Sequence, residues 1–230
     1  MDFIHYPIPG QAVTKGARRM YETYIFDIDG TLTDTEAAAL RSLQKMMKVR
    51  FNQNIPLDEL AFVLGIPGVV ALPGLGIMEL EPENGPCSTY MQDYRRAIHV
   101  FDGIQKLLST LQERSLTSGV VTSKSYQKFR TGFGSFGLNP NLPHIVCADD
   151  TKLHKPNPEP LLKFLQISGA RAESSIYIGD TRCDYECARN AGIDFGLALW
   201  SCKQPHLIPA KYTFEHPQDV LAFVKSRSFN

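Results

Sequence analysis

The chain has 230 residues, 43% of them apolar and 21% charged, with 24 Lys+Arg against 24 Asp+Glu. The even charge balance argues against broad attraction to nucleic acid or an acidic membrane, and no apolar run approaches the roughly 18 residues of a membrane span. The length accommodates one large domain, or one domain carrying a small insertion.

In chain order, residues 1–20 hold Pro7, Pro9, Gly10, Lys15, Arg18 and Arg19 without an apolar core or a helical period. They are expected to form a loose extension rather than a secretory signal. Tyr21 to Asp27 reads as a first strand, aromatic and β-branched. From 35 to 99 the character changes. Glu36 to Val49 repeats apolar residues at Ala37, Leu40, Leu43 and Met47, a helical spacing. Pro56-Leu57-Asp58-Glu59-Leu60 starts a helix with proline and acids early, and Tyr90 to Val100 reads as another helix. Gly65-Ile66-Pro67-Gly68 interrupts between them. No strong strand signal falls in 35–99, so this stretch is expected to be a small helical insertion.

After Asp102-Gly103 helices and apolar strands alternate. Ile104 to Glu113, Pro156 to Ile167, Cys183 to Ala191 and Gln218 to Lys225 read as helices. Ser118 to Val121, Ile145 to Ala148, Ser175 to Ile178, Phe195 to Leu199 and Tyr212 to Phe214 read as strands. This alternation predicts an α/β fold: a Rossmann-like parallel sheet, at 21–34 and 100–230, covered by helices on both faces. The five cysteines have no paired spacing, which predicts free thiols in a reducing compartment and a cytoplasmic protein. Cys183 and Cys187, four apart, are read as packing residues on one helix face.

Four polar signals fall at expected strand ends or in a loop after one: Asp27 with Asp29, Thr122-Ser123, Lys155, and Asp180 with Asp184. The carboxyl ends of parallel strands converge on one edge, where open α/β sheets bind ligands. Together these residue types suit phosphoryl transfer. A carboxylate can attack phosphorus, and a neighbouring acid can protonate the leaving alkoxide and then deprotonate water. Acidic oxygens suit Mg²⁺, while a hydroxyl, backbone amides and a lysine can hold phosphoryl oxygens. Singly, each signal has a plain structural reading, Thr122-Ser123 as the cap of a helix over Lys124 to Phe136 and the others as a turn, a first-turn acid or a solvated charge.

The ordered set resembles the haloacid dehalogenase superfamily. Asp27-Ile28-Asp29-Gly30-Thr31 is similar to its first motif, Thr122 to the second, Lys155 with its trailing prolines to the third, and Asp180 with Asp184 to the acidic fourth. The resemblance runs from about residue 20 to the end, and is nearest the phosphoglycolate phosphatase-like branch, whose helical cap is inserted where 35–99 lies here. It implies Asp27 as nucleophile and Asp29 as general acid/base, with Thr122, Ser123 and Lys155 on the phosphate. It implies Mg²⁺ held by Asp27, by Asp29 through its backbone carbonyl, and by Asp180, with Asp184 orienting a bound water or the lysine. Linkers near Thr33–Glu36 and Val100–Gly103 would be hinges.

The expected activity is therefore Mg²⁺-dependent hydrolysis of a small phosphate monoester through an aspartyl-phosphate, with neither nucleic acid nor membrane as partner. A carboxylate at Asp29 favours an ester over a halide or phosphonate, because only an alkoxide needs a proton. The alternatives are a sugar phosphomutase of the β-phosphoglucomutase type and a non-catalytic phosphate-binding relative. The first is disfavoured because the loop Leu64-Gly65-Ile66-Pro67-Gly68-Val69 carries no basic residue, and the second because no member of the catalytic set is missing.

Overall fold

A computed structural model describes residues 21–64, 71–77 and 86–226, excluding the side chains of 86–89 and 139. The expected extension 1–20, the glycine-proline break and cap loop at 65–69, and the Cys87 thiol lie outside the described residues. The described strands are β1 (Thr23–Phe26), β2 (Thr33–Asp34), β3 (His99–Val100), β4 (Thr117–Val121), β5 (His144–Val146), β6 (Ser175–Gly179), β7 (Asp194–Ala198) and β8 (Tyr212–Phe214). The described α-helices are α1 (Glu36–Phe51), α2 (Leu57–Leu60), α3 (Pro86–Asp93), α4 (Ile104–Glu113), α5 (Tyr126–Thr131), α6 (Glu159–Ser168), α7 (Arg182–Asn190) and α8 (Pro217–Ser226).

Six strands form one parallel sheet in the order β5-β4-β1-β6-β7-β8. Successive side chains on a strand point to opposite faces, so β1 serves two cores. Tyr24 and Phe26 face one, with Ile104, Leu107, Leu108 and Leu111 of α4 and Val220 and Val224 of α8. Ile25 faces the other, with Leu161 and Phe164 of α6 and Cys187 and Ala188 of α7. This is the expected Rossmann-like α/β sandwich. Cys147, Cys183, Cys187 and Cys202 are free thiols, and Cys187 packs in the second core.

The segment between β2 and β3 has a core of its own. Leu40, Leu43, Met46 and Met47 of α1 gather with Leu60 and Ile77, and with Ile55 and Tyr90 around them. The helix expected over Tyr90 to Val100 is instead α3, a 3₁₀ turn at Arg95–Ala97, and β3. The reason is pairing. Thr33 and Asp34 ladder antiparallel with Val100 and His99, so the outgoing and returning chains lie side by side. Among the described residues no helix is long and apolar enough to cross a membrane.

Two helix starts are also shifted. After Thr122-Ser123 the helix begins only at Tyr126, with the Ser125 side chain accepting from Lys128 N (3.3 Å), so Ser125 is the cap. Gly132 then ends α5, and Phe133–Phe136 continues as a 3₁₀ turn. The helix expected from Pro156 begins at Glu159, whose amide is accepted by Asn157 Oδ1 (3.0 Å), and the freed loop carries Lys155 inward.

Candidate active site

Asp27, Thr122 and Asp180 each directly follow the last residue of a strand, β1, β4 and β6 respectively. These three strands are adjacent and parallel, so their carboxyl ends open onto one edge. Strand β1 is also where the sheet order reverses direction, with connections running out to both sides, the usual position of a ligand crevice. Asp27, Thr122, Asp180 and Asp184 are all buried there.

Lys155 reaches the same point. Its Nζ lies 2.6 Å from Asp27 Oδ1, 2.7 Å from Asp184 Oδ1, 2.9 Å from the Tyr177 hydroxyl and 3.3 Å from Val121 O. Three ammonium protons cannot serve four acceptors equally, so the two carboxylates and the hydroxyl are its main partners. Asp184 sits in the first turn of α7, where Thr181 caps the helix. Its Oδ2 accepts from Thr181 Oγ1 (2.5 Å) and Thr181 N (3.1 Å). Gly179 permits that approach, since a Cβ there would meet the Asp184 side chain. Both Asp184 oxygens are thus occupied by protein donors, and Asp184 serves as the anchor of the lysine.

The electrostatics follow from this crowding. One carboxylate oxygen from each of Asp27, Asp180 and Asp184 lies within 4.8 Å of the others. Burial, then the charges of Asp184 and Asp29, push Asp27 up to about 7 against the opposing pull of Lys155. Burial, with Asp184 and Asp27, pushes Asp180 well above the carboxylate range. Burial acts upward on Asp184 too, but Lys155 and the Thr181 and Tyr177 hydrogen bonds overcome it and hold its pKa low. Burial pulls Lys155 down, and Asp184 and Asp27 more than reverse that. Three buried acids facing one buried ammonium leave an excess of two negative charges when all are ionised.

The first-motif loop is pinned from within. Ile28 O accepts from Leu32 N and Thr33 N (both 2.9 Å), and Gly30 N donates to Thr33 O (2.8 Å). Gly30 takes φ +79°, and a Cβ on it would collide with the Asp180 carboxylate. Thr31 Oγ1 donates to Asp180 Oδ1 (3.3 Å), and Trp200 Nε1 to Thr31 O (3.3 Å). Asp29 stands outside the acidic cluster, its Oδ2 2.7 Å from Lys124 Nζ. Thr122 Oγ1 accepts from Lys124 N (3.2 Å), while Ser123 is exposed on the loop beyond.

Residue type and spacing assign no role to Tyr177, Thr181 or Lys124, and mark Thr31 only as part of the first motif. The Tyr177 hydroxyl carried a usable signal: a polar atom in a strand buried on both faces must find partners at the strand's end.

Residues 24–198 match the family model described as haloacid dehalogenase-like hydrolase. The chain belongs to that family. Among curated proteins it is similar to a pyrophosphatase PpaX of Listeria monocytogenes serotype 4b (strain CLIP80459), 27% identical over 216 residues, covering 88% of this chain and 96% of the relative. It is also similar to a phosphoglycolate phosphatase of Xylella fastidiosa (strain 9a5c), 29% identical over 184 residues, covering 77% and 80%. Among solved structures it resembles a Lactobacillus plantarum protein assigned as a phosphoglycolate phosphatase, 26% identical with TM-score 0.78, covering 88% of this chain and 99% of that one. A Geobacter sulfurreducens hydrolase of subfamily IA, 22% identical with TM-score 0.70 over 88% and 99%, shares the fold.

Proposed function

We propose that this hydrolase is a Mg²⁺-dependent phosphatase acting on a small phosphate monoester through an aspartyl-phosphate on Asp27. The observation that carries the reading is the meeting of Asp27, Asp180 and Asp184 around Lys155 at the edge formed by β4, β1 and β6. The relatives, by name a pyrophosphatase and phosphoglycolate phosphatases, support a small phosphorylated substrate.

The donor set fits a hard divalent cation. It is all oxygen, it is buried, and burial first, then the neighbouring acids, raise the pKa values of Asp27 and Asp180, which a bound cation would relieve. Asp27, Asp180 and the backbone carbonyl of Asp29 would hold the ion, which when bound neutralises the phosphoryl oxygens and screens them from the carboxylates. Asp184 is kept from that role by Thr181, Tyr177 and Lys155.

An oxygen of Asp27 attacks phosphorus, and Lys155, already 2.6 Å from Asp27 Oδ1, pulls the nucleophile toward its ionised form and balances the incoming charge. Asp29 gives a proton to the leaving oxygen, then takes one from the water that cleaves the acyl-phosphate. Thr122 at the end of β4, with Ser123 next to it, supplies hydroxyls and amides for the phosphoryl oxygens. The segment 35–99, with a core separate from the sheet, is the cap over this edge, on a core made of 21–34 and 100–230.

The test is release of inorganic phosphate from p-nitrophenyl phosphate with Mg²⁺. The wild type is expected to turn over and Asp27→Asn to lose about a thousandfold or more in kcat with its circular dichroism unchanged. Full activity in a folded Asp27→Asn variant refutes the reading.

A further inference from the structure

The two oxygens of Asp29 are held unequally. Oδ2 lies 2.7 Å from Lys124 Nζ, while Oδ1 is buried and has no hydrogen-bond partner among the described residues. A buried carboxylate oxygen without a donor is costly and uncommon, and the sites that tolerate one tend to be sites of chemistry. The lysine is not a loose surface cation. Its amide donates to Thr122 Oγ1 (3.2 Å), and its carbonyl accepts from Ala148 N (2.8 Å). Its side chain is only 21% exposed. It lines a cavity of about 30 Å³ together with Ile28, Thr33, Ile98 and Phe133. The backbone that presents Lys124 is therefore fixed by the same threonine that follows β4 at the phosphate edge.

We propose that Lys124 is the positioning residue for Asp29. By gripping Oδ2, while Oδ1 is turned into the protein, it fixes the rotamer in which the 38% exposed carboxyl group of Asp29 meets the leaving oxygen. This rests on the phosphatase reading above. In the first step the Asp27–phosphorus bond forms as the bond from phosphorus to the leaving oxygen breaks. The electron pair goes to that oxygen, and the proton that Asp29 supplies as the general acid passes to it, leaving Asp29 as a carboxylate bound to Lys124. Lys124 itself touches no reacting atom. Its contribution lies in orientation, the kind of placement that lets a general acid act without first searching rotamers.

Protonation matters most when the leaving group is poor, which separates this role from phosphate binding or from general support of the fold. The experiment compares kcat/KM for phenyl phosphate, a poorer leaving group, with kcat/KM for p-nitrophenyl phosphate, in wild type, Lys124→Met, Lys124→Arg and Asp29→Asn, with Mg²⁺ present. The parameter kcat/KM reports the steps up to loss of the phenol, so water attack does not mask the effect. Lys124→Met is expected to lose about tenfold more on phenyl phosphate than on p-nitrophenyl phosphate, and Lys124→Arg to recover part of that difference. In the Asp29→Asn background, Lys124→Met is expected to add no further discrimination. Lys124→Gln serves the same comparison if the methionine variant fails to fold. Equal losses on both substrates, no loss, or losses that multiply with those of Asp29→Asn overturn the proposal and leave the phosphatase reading standing. A wild type that releases phosphate from neither substrate overturns both.

Discussion

The sheet edge and the helical segment between β2 and β3 are held by different forces. Within the described residues the buried carboxylates are Asp27 and Asp180, each directly after a strand end, and Asp184 in the first turn of α7, all tied to Lys155 or to Thr31. Among its described residues the helical segment buries Leu40, Leu43, Met46, Met47, Leu60 and Ile77, with Ser42 as the one buried polar side chain, satisfied by Ala38 O at 2.6 Å. Among the described residues its ties to the rest of the chain include the β2–β3 ribbon and an exposed Lys203–Glu36 ion pair, the latter worth under about 1 kcal/mol. One region spends stability to concentrate charge, and the other is an ordinary apolar cluster. Chemistry is therefore written into the sheet edge, where pH, metal and charge substitutions will be felt, and the helical segment should respond to them little.

Lys155→Met should test this contrast most severely. It removes the one buried ammonium that faces the acids, and breaking a buried ion pair from one side costs about 3–5 kcal/mol. Urea unfolding at pH 8 in the presence of a chelator should show that loss, with activity lost as well. A loss below about 1 kcal/mol would mean that the acids are relieved in another way, and the contrast between the two regions would fail.

A smaller effect concerns pH. Asp27, raised to about 7, holds its proton more tightly in the folded protein than in the unfolded chain. Its contribution to metal-free stability is therefore fully present below the unfolded carboxylate pKa of 3.8 and is lost as pH rises through about 7. Asp184, with a depressed pKa, runs the other way: its contribution is present above its unfolded value and disappears as pH falls through the depressed one. A cation must displace the Asp27 proton, so apparent Mg²⁺ affinity should strengthen about tenfold from pH 6 to pH 8. Mg²⁺ titrations followed by thermal shift or calorimetry measure this directly. A pH-independent affinity would place the ion away from Asp27.

How much of this was legible beforehand depends on whether the signal was local. Helix α4 was readable to the residue, because Ile104, Leu107, Leu108 and Leu111 repeat on one face and Gly103 precedes them. The parallel sheet followed from strands alternating with helices. The β2–β3 ribbon was not readable. Each strand is two residues long, and its only reason to be extended is a partner more than sixty positions away. The same division runs through the site. Asp27, Asp29, Lys155, Asp180 and Asp184 stood out through type and order. That Asp184 would be consumed by Thr181 and Tyr177, that Asp29 would sit apart with Lys124, and that Ser125 rather than Ser123 would cap α5 depended on side-chain directions that spacing does not encode.

Tyr177 offers the finest test of the same contrast. Its hydroxyl touches Lys155 Nζ (2.9 Å), Asp184 Oδ1 (2.9 Å) and Val121 O (3.0 Å), and its ring packs on Phe195 in the second core. Tyr177→Phe keeps the ring and deletes only the oxygen, so any loss belongs to the polar network and not to packing. The single phenolic proton serves Asp184 Oδ1 or Val121 O, so one of these buried oxygens loses a donor and Lys155 loses an acceptor, at a combined cost of about 1–2 kcal/mol in urea unfolding. Asp184 keeps Lys155 and Thr181, so the lysine stays in place and kcat on p-nitrophenyl phosphate should change by less than about threefold. If the variant instead loses activity on the scale of Lys155→Met, then Tyr177 and not Asp184 is what sets the lysine. The charge network at the sheet edge would then hang on one neutral hydroxyl.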